Sequence, residues 1–228
     1  FITRSWYDNL GRVVAQLDGN NALQLFAYNS FGDVVRTDLD RNIRSDIDRS
    51  LTATIPTIAT ADAITTLFDY DAKGRLLTMT YPEVMVTELI DNDTATTAVA
   101  SSVSQAAESP TIQMAYDAWG NAVSTRNTAG AVSYSYYDVV GRIIATVDEL
   151  GFLTEFNYDS QGHIVHQLQY QTALSGVSAA EKPAVVVADV GAEISRIYDL
   201  ENNLVQETSP AVLTSDGLVR ITSRFTYD

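Results

Sequence analysis

A chain of 228 residues with 29 acidic and 14 basic side chains carries a net charge of −15, a poor match to nucleic-acid phosphates or anionic membrane surfaces, both of which call for basic patches. It has no cysteine, which removes disulfides, thiol nucleophiles and thiolate metal sites, and no apolar run reaches the ~18–20 residues of a membrane-spanning helix. No signal peptide is visible.

One string returns along the chain: Tyr, then Asp or Asn, two variable residues, Gly, and two aliphatics one residue further on. It stands at Tyr7–Val14, with Tyr7, Asp8 and Gly11, and at Tyr28–Val35, with Tyr28, Asn29 and Gly32. It returns at Tyr70–Leu77, with Tyr70, Asp71 and Gly74, and at Tyr116–Val123, with Tyr116, Asp117 and Gly120. Further copies are Tyr137–Ile144, with Tyr137, Asp138 and Gly141, and Tyr158–Val165, with Tyr158, Asp159 and Gly162. In Tyr198–Val205, Tyr198 and Asp199 are followed by Asn202 in place of Gly, and a last copy starts at Tyr227–Asp228. The pattern opens inside a strand at Phe1–Ile2 and stops inside a motif, so we expect a piece of a larger protein.

The unit reads as a β-hairpin. A short Asp or Asn side chain can bond backbone N–H groups two residues on and so start a turn. Gly three residues later, replaced once by Asn, marks a position that demands φ > 0. A four-residue connection built on a type I turn meets both needs. Phe26, Phe68, Met114, Phe156 and Phe225 stand two residues before the tyrosines, the period of one strand face, although Ser5, Ser135 and Arg196 break the column. The paired aliphatics after each turn mean either a strand covered on both sides or a bulge. Successive tyrosines are 21 residues apart in three intervals, and one interval is twice that. A second turn signal lies midway, at Asp18–Asn21, Asn127–Gly130 and Asp148–Gly151, so each unit is two strands and two turns.

Three stretches depart from the period. The segment 36–68 fills the doubled interval, so a degenerate unit is expected there; its Asp38, Asp40, Asp46 and Asp48 alternate with arginines. Alternate carboxylates can converge on Ca²⁺, but an EF-hand match fails at Ile43 and Arg49, and an Asp/Arg-laced solvent face is the preferred reading. The segment 82–113 holds a strand at Val84–Ile90 and then an Ala/Thr/Ser-rich stretch. There a surface loop is preferred to a short helix at Ala98–Ala107. In 171–192, Ser178–Glu181 resembles a helix start limited by Pro183.

Candidate chemistry is sparse. His163 and His166 are three residues apart, but on a strand that spacing points them to opposite faces. There is no Gly-x-Ser-x-Gly elbow, no His-Glu-x-x-His and no phosphate-cradling Gly-rich loop, so no enzyme is expected. Trp119, at the third turn position, could stack on a sugar ring, with Tyr134, Tyr136 and Tyr137 extending the surface; packing on the adjacent hairpin is the preferred reading.

Tyr-Asp-x-x-Gly-Arg with two aliphatics, complete at Tyr7–Val14, Tyr70–Leu77 and Tyr137–Ile144, resembles the RHS or YD repeat. Asp33, Asn121, His163 and Asn203 replace Arg in the other copies. The resemblance runs through residues 1–228 and implies an all-β fold, with tandem hairpins forming a long twisted antiparallel sheet, part of a spiralling hollow shell. Such shells encapsulate toxic components in insecticidal Tc complexes and polymorphic RHS toxins, and teneurins carry a similar one. It implies a non-catalytic wall segment of a large secreted or cell-surface bacterial protein, with flanking repeats and an enclosed polypeptide as partners and no cofactor. The Asp-Pro motif of the family's aspartyl autoprotease is absent. The other function considered is an extracellular adhesion module that binds carbohydrate or cell surfaces.

Overall fold

A computed structural model of the chain describes residues 3–47, 54–90, 102–184, 190–214 and 217–227. Among these residues the fold is all-β, with one 3₁₀ turn at Thr60–Asp62, and the strands pair antiparallel. Two compact units make up the chain, Phe1–Gln113 and Met114–Asp228.

In the first unit, β1 (Arg4–Tyr7), β2 (Val13–Leu17), β3 (Leu23–Tyr28), β4 (Val34–Asp40), β5 (Ala63–Tyr70) and β6 (Leu76–Thr80) lie side by side in chain order. β7 (Val84–Ile90) and β8 (Ser102–Glu108) form a separate two-stranded ribbon, and β9 (Thr111–Tyr116) returns to pair with β6 through Thr111–Gln113. The second unit continues with β10 (Ala122–Arg126), β11 (Val132–Tyr137), β12 (Ile143–Val147), β13 (Leu153–Tyr158), β14 (Ile164–Tyr170), β15 (Val190–Tyr198) and β16 (Leu204–Thr208), again in chain order. β17 (Val212–Thr214) and β18 (Gly217–Val219) make a second ribbon, and β19 (Thr222–Arg224) pairs with β16.

The repeat spacing now has a physical explanation. Every interval between motif tyrosines contributes one pair of neighbouring strands to the main sheet, whatever its length. The doubled interval holds only β4 and β5, paired from Arg36↔Leu67 to Asp40↔Ala63, so the degenerate unit expected in 36–68 does not exist among the described residues. The extra length is a long connection closed by the 3₁₀ turn. All the insertions leave from the strand ends opposite the tyrosines. In 82–113, Ser102–Glu108 is a strand rather than a loop, paired from Val84↔Glu108 to Ile90↔Ser102; residues 98–101 lie outside the described set. Ser178–Glu181 makes a turn, not a helix, and Pro183 stands where propagation would need a free N–H.

The paired aliphatics mark a bulge. Trp6 faces Ala15 while Tyr7 faces Val13, which leaves Val14 as the extra residue, and Tyr136↔Ala145 with Tyr137↔Ile143 leaves Ile144. The same slip recurs before Tyr28, Tyr70, Tyr158 and Tyr198. An inserted residue bends the strand and tightens its twist.

Each unit has its own core. In the first, Trp6, Ala15, Leu17 and Leu23 are buried, with Ile47 and Ile58 of the long connection against them. In the second, Tyr136, Ala145, Val147, Leu153 and Tyr170 are buried, with Leu174 and Val177 of its connection against them. The two sets correspond at a constant offset: Trp6 to Tyr136, Ala15 to Ala145, Leu17 to Val147, Leu23 to Leu153. The connections are pinned alike, Arg44 N–H donating to the Asn21 carbonyl and Leu174 N–H to that of Gly151, at 2.9 and 2.8 Å. In the two copies with Ser two before the tyrosine, the residue next to it, Trp6 or Tyr136, enters the core; Phe26 and Phe156 are half-buried and Phe225 is exposed.

Candidate functional site

The motif turn is closed by its own first residue. Asp8 Oδ1 accepts the N–H of Leu10 and of Arg12, both at 2.9 Å, while Gly11 N–H donates to the Asp8 carbonyl at 3.0 Å. Asp71, Asp117, Asp138, Asp159 and Asp199 repeat the pattern. Gly at the fourth position has φ of +78° at Gly11 and +84° at Gly141, and Asn202 takes +69° in its place, as a left-handed turn residue requires. Gly176, outside the motif, is also left-handed at +69°.

The other carboxylate oxygen reaches the fifth residue. Arg12 Nε donates to Asp8 Oδ2 at 2.7 Å and Arg142 Nε to Asp138 Oδ2 at 2.7 Å. Where Arg is missing, another side chain takes up the bond: Asn121 Nδ2 to Asp117, Asn203 Nδ2 to Asp199, and His163 Nδ1 beside Asp159 at 2.9 Å. At Tyr28–Val35 the polarity reverses, and Asn29 Nδ2 donates to Asp33 Oδ2 at 2.9 Å. The sequence carries this signal, since the one copy whose first residue is uncharged is the one with an acid at the fifth. The backbone N–H and guanidinium of Arg12 hold the Asp8 carboxyl below its ordinary value, and those of Arg75 do the same for Asp71. The His163 side chain holds Asp159 at about 2.

The fifth residue also meets the next hairpin. The Arg12 guanidinium lies 4.6 Å from the centre of the Tyr28 ring, Arg142 lies 4.5 Å from that of Tyr158, and His163 stacks on Tyr198 at 4.3 Å. Burial, and then the facing Asp33 charge, raise the pKa of Tyr70. Four tyrosines of the column are anchored at the far end: Tyr28 O–H donates to the Val13 carbonyl at 2.7 Å, Tyr137 to Ala122 at 2.9 Å, Tyr158 to Ile143 at 2.6 Å and Tyr227 to Leu204 at 2.9 Å. The tyrosine column is thus a row of junctions. The internal rings are half-buried, whereas Tyr7 and Tyr227 are 59% and 56% exposed.

The remaining candidates fall elsewhere. Asp38 accepts from Arg36 and from the Thr65 hydroxyl, and Arg44 joins Asp40 to Asp46 at 2.9 Å each; Asp48 lies outside the described residues. Asp40 is only 7% exposed, so this stretch is not simply a solvent face. Among the described residues no three His, Asp or Glu side chains are placed to hold a metal ion. His163 belongs to its turn and His166 pairs with Glu193, so the two are not brought together. Trp119 does not pack on its neighbour: it is 87% exposed. Tyr136 does not extend that surface, being buried with its hydroxyl donating to the Ser178 carbonyl at 2.8 Å.

No protein-family profile matches the chain, and no curated protein does. Among solved structures it is similar to TcdB2–TccC3 lacking the hypervariable C-terminal region, at 17% identity and a TM-score of 0.47. It is also similar to a TcdB2–TccC3–Cdc42 structure, at 17% and 0.46. A third similar structure is a Photorhabdus luminescens Tc holotoxin pore, at 18% and 0.45. In each case the match covers 99% of this chain and 12% of the other, so the chain spans about an eighth of those chains' length.

Proposed function

We propose that this chain is a non-catalytic wall segment of a larger bacterial RHS protein, its sheet forming part of a hollow shell that encloses a cargo polypeptide. One observation carries the reading: the motif's polar groups are used within the sheet. Asp closes its turn, the fifth residue ties that Asp to the next hairpin's tyrosine, and the tyrosine hydroxyl returns to a strand carbonyl. Such a chain of contacts fixes the spacing of hairpins, and among the described residues it brings no set of catalytic groups together. The partners are flanking repeats of the same motif and the enclosed polypeptide, in a protein exported from the cell or held at its surface.

The test is limited proteolysis of the longer polypeptide that carries this segment. Residues outside the repeats should survive trypsin while the sheet is folded, and be digested when Gly74→Val and Gly141→Val weaken it. Prompt digestion of everything but the sheet, with the repeats intact, overturns the proposal.

A further inference from the structure

Not every junction in the row has an arginine, and the one at Tyr137 leaves a groove where it would lie. At Tyr28 and Tyr158 an arginine from the preceding turn covers the ring, at 4.6 and 4.5 Å. At Tyr137 the corresponding residue is Asn121, three heavy atoms shorter than Arg, with its Nδ2 committed to Asp117 at 2.8 Å. In place of the guanidinium there is a groove of about 410 Å³, lined by Trp119, Asn121, Tyr137, Asp138, Val139 and Val140, within the size range of small-molecule sites. Its rim is apolar: Trp119, Val139 and Val140 are all exposed, although the turn geometry asks for none of them. The Asn121 amide oxygen faces the neighbouring turn, at 3.8 Å from where a Cβ on Gly141 would lie.

We propose that this groove binds the guanidinium of an arginine side chain supplied by another polypeptide. The chain itself shows what a tyrosine at this register accepts, since two of its equivalents, Tyr28 and Tyr158, take a guanidinium on the ring face. Trp119 adds the aromatic face that attracts cations best, and a planar guanidinium stacks on an aromatic face better than a compact ammonium does. The Asn121 amide oxygen supplies an acceptor for one of its N–H groups, and the net charge of −15 favours a basic partner over an acidic one. The inference does not depend on the shell reading, because it concerns a side chain bound at the hairpin tips whatever the sheet encloses.

The probe is acetyl-Gly-Arg-Gly-amide, compared with its citrulline counterpart, which keeps the shape and loses the charge. The indole N–H resonance of Trp119 reports binding, with Trp6, 5% exposed, as internal reference. The arginine peptide should shift the Trp119 signal saturably, and the citrulline peptide should bind at least about tenfold more weakly. Asn121→Arg, which restores the motif arginine in place, should abolish the response while raising the melting temperature, so loss of binding is separated from loss of fold. Trp119→Ala, at an exposed tip, should abolish binding and leave melting unchanged. Equal binding of the two peptides, no saturation by either, or an undiminished response in Asn121→Arg overturns the proposal. Saturation by methyl α-glucopyranoside but not by the arginine peptide also overturns it, and assigns the groove to a sugar.

Discussion

Replacing Tyr158 by Ala should lower the stability of the second unit by about 3 kcal/mol, against about 2 kcal/mol for the same change at Tyr227. A tyrosine side chain has ~200 Å² to bury, and a half-buried ring removes ~100 Å² from water, which at ~25 cal/mol per Å² is ~2.5 kcal/mol. The hydroxyl bond to the Ile143 carbonyl, at 2.6 Å, adds ~1 kcal/mol and the Arg142 contact ~0.5 kcal/mol. A denatured chain that already buries some of this surface brings the total back to ~3 kcal/mol. Tyr227 keeps a carbonyl bond, to Leu204, but its ring is 56% exposed and Asn203 stands in the place of the arginine. The assay is urea unfolding followed by circular dichroism, with Tyr158→Leu, Arg142→Met and the double variant as a thermodynamic cycle. A coupling of ~0.5–1 kcal/mol is expected between those two positions. Equal losses at Tyr158 and Tyr227, or no coupling, would show that the column is not held by junctions between hairpins.

The motif aspartates should make stability fall in acid. Asp8, Asp71, Asp117, Asp138, Asp159 and Asp199 all titrate below their unfolded value of 3.8, Asp159 at about 2, so their contribution is complete above about pH 4 and is lost as pH falls toward 2. The urea midpoint should drop across that window and drop less in Asp159→Asn; a flat profile refutes the linkage. Gly74→Val and Gly141→Val should each cost at least ~1–2 kcal/mol in urea unfolding, because valine resists φ > 0, whereas Gly176, also left-handed, should be comparably sensitive rather than tolerant. Lys182 and Tyr170 both bond the Glu155 carboxylate, so Lys182→Met should speed hydrogen exchange at Leu174 N–H severalfold and leave β12 and β13 unchanged. Uniform acceleration would mean that Lys182 supports the sheet as a whole rather than the connection lying on it.

The turns were legible because their chemistry is local. Asp8 to Gly11 contains both the acceptor that starts the turn and the residue that completes it, and Asn202 in the glycine column pointed to the left-handed backbone it adopts. Strands and all-β class followed from the same period. The long connections were harder: the 42-residue step from Tyr28 to Tyr70 looks like two units, yet β4 pairs directly with β5, because what fixes a sheet is the register between strands and not the chain between them. The core is hard to place from sequence for a related reason. Phe26 and Phe156 advertise one face, but Trp6 and Tyr136 on the other are buried by Ile47 and Val177, which arrive from connections with no periodicity to announce them. The role of the fifth residue was missed because Arg12 meets Tyr28 across two strands, and only the paired change at Asn29 and Asp33 hinted at it.

The edge opposite the tyrosines is where this sheet can accept change. Lengthening a connection there from the four residues of Asp18–Asn21 to the roughly twenty between Asp40 and Ala63 costs only ~1.5 kcal/mol in closure entropy, less than a single tyrosine junction contributes. Neither insertion shifts the phase of the next motif, since the following strand docks on the preceding one and restores the register. A lineage could therefore vary that margin freely, in length and in sequence, while the other margin keeps time. The same property makes Glu83–Ser109 a practical site for grafting a tag, an epitope or a whole domain without disturbing the hairpins on either side.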